Sequence, residues 1–144
     1  MAVKVAERAE EEHWERDVKP ILPDGTVVLS EIPHDQKVEL LGKARAVLFP
    51  IDWDEPFGLV MTEAMACGTP VIATPRGAVP EVVADGETGF IVPVDGYPEA
   101  AAEALHRTKD IDPKACRRHV EERFSAEAMV SGYEAVYERV LSST

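Results

Sequence analysis

Residues 46 to 73 read Ala46-Val47-Leu48-Phe49, then Pro50-Ile51-Asp52-Trp53-Asp54-Glu55-Pro56-Phe57-Gly58, then Leu59-Val60-Met61-Thr62-Glu63-Ala64-Met65-Ala66-Cys67, then Gly68-Thr69-Pro70 and Val71-Ile72-Ala73. The order is an apolar run, a proline-bounded loop, a helical stretch, a Gly-Thr-Pro turn and a second β-branched run, which spells strand, loop, helix, turn, strand. A helix joining two strands is the unit of a parallel sheet, so the class is α/β with a Rossmann-like parallel sheet flanked by helices. Ala46 to Phe49 is expected to be a fully buried strand. Ligands of open α/β sheets lie beyond the carboxyl edge, where Pro50 to Pro56 opens.

The rest of the chain repeats the alternation. Ala2 to Ala6 is a brief strand, and Arg8 to about Val18 a helix stopped near Lys19-Pro20. Pro23-Asp24-Gly25 turns the chain into a strand from Thr26 to Leu29. Asp35 is placed to cap a helix running to Ala44, with Val38 and Leu41 on its inner side and Leu40 beside them. After Val71 to Ala73 come a short helix from Val79 to Ala84, with Pro80 near its start, and a last strand from Phe90 to Val92. The remainder is helical, at Tyr97 to Thr108, Asp112 to Phe124 and Ala126 to Leu141.

With 144 residues the chain suffices for one core. A formal net charge of −12 opposes a nucleic-acid or phospholipid partner and fits a solvated surface, concentrated in Glu7, Glu10, Glu11, Glu12, Glu15 and Asp17. The cysteines, Cys67 and Cys116, lack metal-type spacing, and Cys67 reads as a small core residue of a buried helix. No stretch has the length and apolarity of a membrane span or signal peptide, so a reducing cytoplasm is the expected setting.

Two carboxylates eight positions apart, Glu55 and Glu63, flank the start of the Leu59 helix. The first amides of a helix have no intrahelical acceptor and its dipole favours negative charge, so a phosphate suits the Phe57-Gly58 turn. Carboxylates accept hydrogen bonds from vicinal sugar hydroxyls. Diphosphate on the amides with ribose on one Glu and hexose on the other describes a nucleotide-sugar. The bland alternatives are a helix-capping acid at Glu55, worth a few tenths to about 1 kcal/mol, and a surface carboxylate at Glu63. The apolar flanks Val60, Met61, Ala64, Met65 and Cys67 make a solvated face at Glu63 harder to explain. Arg76 reads as a solvated arginine within reach of a phosphate, His34 as a residue at a helix start, and His13 as part of a charged helix. Trp53 either packs on a sugar or base face, or covers the loop or meets another domain.

Glu55-Pro56-Phe57-Gly58, Glu63-Ala64-Met65-Ala66-Cys67-Gly68-Thr69-Pro70-Val71, Gly77-Ala78-Val79-Pro80-Glu81-Val82-Val83 and Asp85-Gly86-Glu87-Thr88-Gly89-Phe90 follow one another in a set order. The set resembles the C-terminal, donor-binding domain of retaining glycosyltransferases of family four, which have the two-domain GT-B architecture, and the match runs from about Val27 to Val92. The resemblance implies that Glu55, the catalytic candidate, holds hydroxyls of the transferred sugar and that Glu63 receives the ribose hydroxyls. The backbone of Phe57, Gly58 and Leu59 would approach sugar and phosphate, where a side chain at Gly58 would obstruct. It implies transfer from a nucleoside-diphosphate sugar, UDP-glucose being the loosely indicated donor, to an acceptor hydroxyl with retention, with no metal and no cofactor besides the donor.

Against the family's pattern, the opening strand, its basic loop with an Arg and a Lys, and the N-terminal acceptor domain have no counterpart. Residues 1 to 144 are therefore expected to be a single incomplete domain, inactive or nearly so alone. Its strands are expected to close up in altered order, or its exposed sheet edges to be covered by a second copy. Tyr133, Val136, Tyr137 and Val140 read as packing against the sheet or against the missing N-terminal domain. Competing readings are a related GT-B-type epimerase, a pyridoxal-dependent phosphorylase, for which Lys43 and Lys109 lie in poor contexts, and a non-catalytic sugar-nucleotide-binding module.

Overall fold

The computed structural model describes residues 2–4, as backbone, and 13–143. Two compact units divide the chain, Met1–Lys37 and Val38–Thr144. In the first, β1 (Ala2–Lys4) pairs in parallel with β2 (Val27–Leu29), Ala2 opposite Val27 and Lys4 opposite Leu29. A π-helical stretch, Trp14–Val18, runs straight into a 3-10 turn, Lys19–Ile21, that carries Pro20. The charges there are spent locally, His13 and Arg16 on Asp17 and Lys19 on Glu15. The predicted helix from Arg8 and the acids from Glu7 to Glu12 lie outside the described residues.

Helix α1 (His34–Lys43) runs across the boundary between the units. The second unit then follows the alternation that the sequence predicts: β3 (Val47–Phe49), α2 (Leu59–Ala66), β4 (Val71–Ala73), α3 (Val79–Val82), β5 (Gly89–Ile91), α4 (Tyr97–Arg107), α5 (Pro113–Arg123) and α6 (Ala126–Ser142). Its sheet is parallel in the order β3-β4-β5, with Val47 opposite Val71 and Val71 opposite Gly89. Helices join successive parallel strands because such strands cannot be closed by a tight turn. Asp112 and Ser125 begin α5 and α6 as side-chain caps, accepting from the amides of Lys114 and Ala128.

The core lies between α2 and the sheet. Met61, Ala64 and Met65 of α2 and all of β4 are fully buried, joined by Val79, Val82 and Val83 around α3 and by Cys116 from α5. A continuous apolar run in β4 is what a central parallel strand covered on both faces requires. The buried threonines of the core are hydrogen-bonded: Thr69 Oγ1 donates to Leu41 O at 2.6 Å, Thr74 Oγ1 to Ile51 O at 2.5 Å, and Thr88 Oγ1 accepts from the Ala84 amide at 3.0 Å. Burial pushes the Tyr97 phenol up to about 12 and the Cys116 thiol up to about 11.

Several expectations need correction. β3 is not fully buried, because it is an outer strand of its sheet and Leu48 is 46% exposed. The strands of the described residues do not close into one ladder in altered order; they form a two-stranded and a three-stranded sheet. Of the two apolar residues assigned inward in α1 only Leu41 is buried; Val38 is exposed, as is Leu40 beside them. Cys67 caps α2 at its end and is half-buried, a looser position than the core site expected. The apolar stripe of α6 does not pack on the sheet, and Tyr133, Tyr137 and Val140 are each about 60% exposed.

Candidate functional site at the start of helix α2

The chain leaves β3 at its carboxyl end and turns at once, the Ile51 amide donating to Phe49 O at 3.0 Å. Thr74, just beyond β4, clamps the carbonyl of Ile51. The loop from Asp52 to Gly58 therefore starts from two adjacent strand ends, the edge at which open parallel sheets bind ligands.

Glu55 organises this loop. Its Oε1 accepts from the Gly58 amide at 3.0 Å and, more loosely, from the Phe57 amide at 3.5 Å, while Oε2 accepts from Trp53 Nε1 at 3.2 Å. The acid thus serves as a cap for the turn that opens α2. The Phe57 and Gly58 amides, expected to meet an anion, face a carboxylate of the same chain. A carboxylate has about four acceptor sites, so three donors leave it room for a sugar hydroxyl. The amide of Leu59, at the first helical position, has no intrahelical acceptor by the geometry of a helix start.

Gly58 has a backbone reason to be glycine. Its φ of +76° is left-handed, and a Cβ there would stand 2.5 Å from Met61 Cε and 3.3 Å from Glu55 Cγ. Phe57 meets Phe124 edge to face, ring centroids 5.9 Å apart, which anchors the loop to the end of α5. Leu59 is exposed, and Trp53 holds its indole 60% exposed. Glu63 is half-buried on α2 beside the buried Thr62 and Ala64.

A second loop underlies the first. The Ala78 amide donates to Glu55 O at 2.8 Å, and the Gly77 amide to Asp54 Oδ1 at 3.3 Å. A Cβ at Gly77, whose φ is +52°, would overlap the backbone N and O of Glu55. Arg76 is not simply solvated: Nη2 donates to Asp52 Oδ1 at 2.7 Å, and Nε is buried without an acceptor. Sequence reasoning assigned no role to Asp54 or Gly77. Gly77 stood only as the first residue of one of the stretches that carry the family resemblance. Asp52, Asp54 and Glu55 are held in these two loops with the guanidinium of Arg76, and Glu63 follows on α2.

Parallel strands, crossover helices and a helix start at the carboxyl edge of the sheet define a Rossmann-like α/β domain. The profile of the glycosyl transferases group 1 family matches residues 10–123. The chain belongs to that family. It is 38% identical over 113 residues to N-acetyl-alpha-D-glucosaminyl L-malate synthase of Bacillus anthracis, a match spanning 75% of this chain and 29% of that protein. It is 35% identical over 125 residues to D-inositol 3-phosphate glycosyltransferase of Mycolicibacterium smegmatis, spanning 84% of this chain and 28% of that protein. Among solved structures it resembles sucrose-phosphate synthase from Thermosynechococcus elongatus, with a TM-score of 0.69 and 33% identity over 85% of this chain and 32% of that one. The chain spans less than a third of the length of each of these proteins.

Proposed function

We propose that the chain is the donor-binding part of a glycosyltransferase that moves a sugar from a nucleoside-diphosphate sugar to an acceptor hydroxyl, with retention at the anomeric carbon. The observation that carries this reading is Glu55, whose carboxylate is held by the Gly58 amide and the Trp53 indole at the carboxyl edge of the sheet. Glu55 is the catalytic candidate, accepting hydroxyls of the transferred sugar. Glu63 receives the ribose, and the backbone of Phe57, Gly58 and Leu59 borders sugar and phosphate. Arg76, with a buried Nε lacking an acceptor, is a further donor beside the phosphates. Departure of the diphosphate is eased by a helix start and oriented donors, a role that needs no metal.

The local charge makes donor binding weak. The loop acids Asp52, Asp54 and Glu55 repel a diphosphate, and the Arg76 guanidinium, already paired with Asp52, offsets only part of that. The basic loop that opens the family's donor domain and a partner half with the acceptor site complete the enzyme, and closure of the two halves excludes water from the reacting carbon. UDP-glucose is the donor to try first, in a cytoplasmic setting. Saturation-transfer NMR on UDP-glucose and GDP-mannose tests this: transfer to the hexose protons should be present in the wild type and lost in Glu55→Ala. Equal transfer to both proteins would remove Glu55 from the site.

A further inference from the structure

A cleft of about 280 Å³ opens between the carboxyl end of α2 and the first turns of α5, on residues with no part in the donor reading. It is lined by Cys67, Gly68, Pro113, Lys114, Arg117, Arg118 and Glu121. The chain carries 27 acids and 15 lysines and arginines, so a surface cation has acids in excess to pair with. Yet among the described residues neither Lys114 nor Arg118 makes a side-chain hydrogen bond or ion pair. They stand four apart on one helix, where like charges disfavour each other. Arg117 is fixed from below, its Nε donating to Ala66 O at 3.0 Å, which leaves the far side of the guanidinium for the cleft. Glu121 and the capping Asp112 are the acids beside this group.

We propose that this cleft is a second ligand site, for a small soluble phosphomonoester. Two guanidinium forks and an ammonium converge on one recess, and a phosphate's oxygens accept from all three. The volume takes the phosphate together with a ring-sized body, for which Glu121 is the hydroxyl acceptor. A recess between two helices on a chain of charge −12 suits a free molecule, since an anionic bilayer would repel the rest of the protein.

Cys67 reports on the cleft, because it is the partly exposed thiol while Cys116 is buried. The experiment follows alkylation of Cys67 by iodoacetamide, read by mass spectrometry, with inorganic phosphate or phenyl phosphate against chloride at equal ionic strength. Phosphate should slow the wild type by roughly threefold or more at saturation and leave a Lys114→Gln, Arg118→Gln double variant unaffected. Equal rates in phosphate and chloride overturn the proposal, as does protection that persists in the double variant. Protection by phosphatidate vesicles alone would overturn the soluble source. A measurement on the wild type alone guards against a variant that fails to fold: relative to iodoacetamide, anionic iodoacetate should alkylate Cys67 faster than it does glutathione. A ratio no higher than glutathione's contradicts a cationic recess.

Discussion

At the scale of single residues, the proposed function gives Glu55 two tasks in one carboxylate. It holds the turn into α2 through the Gly58 amide, and on that reading its remaining acceptor sites receive sugar hydroxyls. Replacing it by alanine should therefore lower stability by about 1 kcal/mol, the worth of a helix-capping side chain; urea denaturation reads this, separately from any loss of binding. Gly77 is more constrained. Gly77→Ala would drive a methyl into the Glu55 backbone at a left-handed position, so a loss of about 2 kcal/mol or more is expected, and a substitution with wild-type stability would show that the two loops are not locked. Gly77 acts on a residue 22 positions earlier in the chain, and a contact at that separation leaves no periodic pattern to read. Glu55, Gly58 and Glu63 stood in a local motif and were legible, whereas the Asp54 to Gly77 bond and the Arg76 to Asp52 pair were not. Cys116 supplies a pH effect of definite sign. Its folded value is raised to about 11 from 9.0, so the folded chain holds a proton that the unfolded chain releases. Stability from this group is complete below pH 9 and is lost as the pH rises through 11. Cys116→Ala should flatten that decline in denaturant titrations, and an unchanged slope would contradict the assignment.

Among the elements, α2 does two tasks with opposite faces. Met61, Ala64 and Met65 are sealed against the sheet, while Leu59 at its start is exposed and Glu63 half-buried. Met65→Ala should cost about 2–5 kcal/mol, read as a lower urea midpoint at constant m-value. A cost under about 1 kcal/mol would mean that the core is looser than its burial indicates. The order of strands and helices was legible from residue 26 onward, because runs such as Val71-Ile72-Ala73 and the caps Asp112 and Ser125 are local signals. What failed was burial at β3 and α1, and of the two partners expected for the α6 stripe the sheet is not the one. Leu48, Val38, Leu40 and the α6 stripe are apolar residues with the right spacing for a core, yet they lie exposed. Spacing indicates that a face is built to be covered and is silent about what covers it.

At the scale of the whole molecule, the proposed function asks an acidic chain to hold a diphosphate. The fold supplies the helix start with the Leu59 amide and the Arg76 guanidinium, and the loop acids oppose them, so affinity should be low. The outer strand β3 with exposed Leu48 also predicts self-association at high concentration. Sedimentation should find a dimer that Leu48→Lys abolishes, and a strictly monomeric wild type would remove the edge as an interface. The central claim is that the start of α2 binds a nucleotide-sugar between Glu55 and Glu63. Its most direct test is calorimetric titration of this chain with UDP, GDP, UDP-glucose and GDP-mannose, beside a Glu63→Ala variant of equal stability. The account predicts weak binding of one nucleotide series, lost in the variant; binding that survives Glu63→Ala unchanged, or no binding of either series, would contradict it.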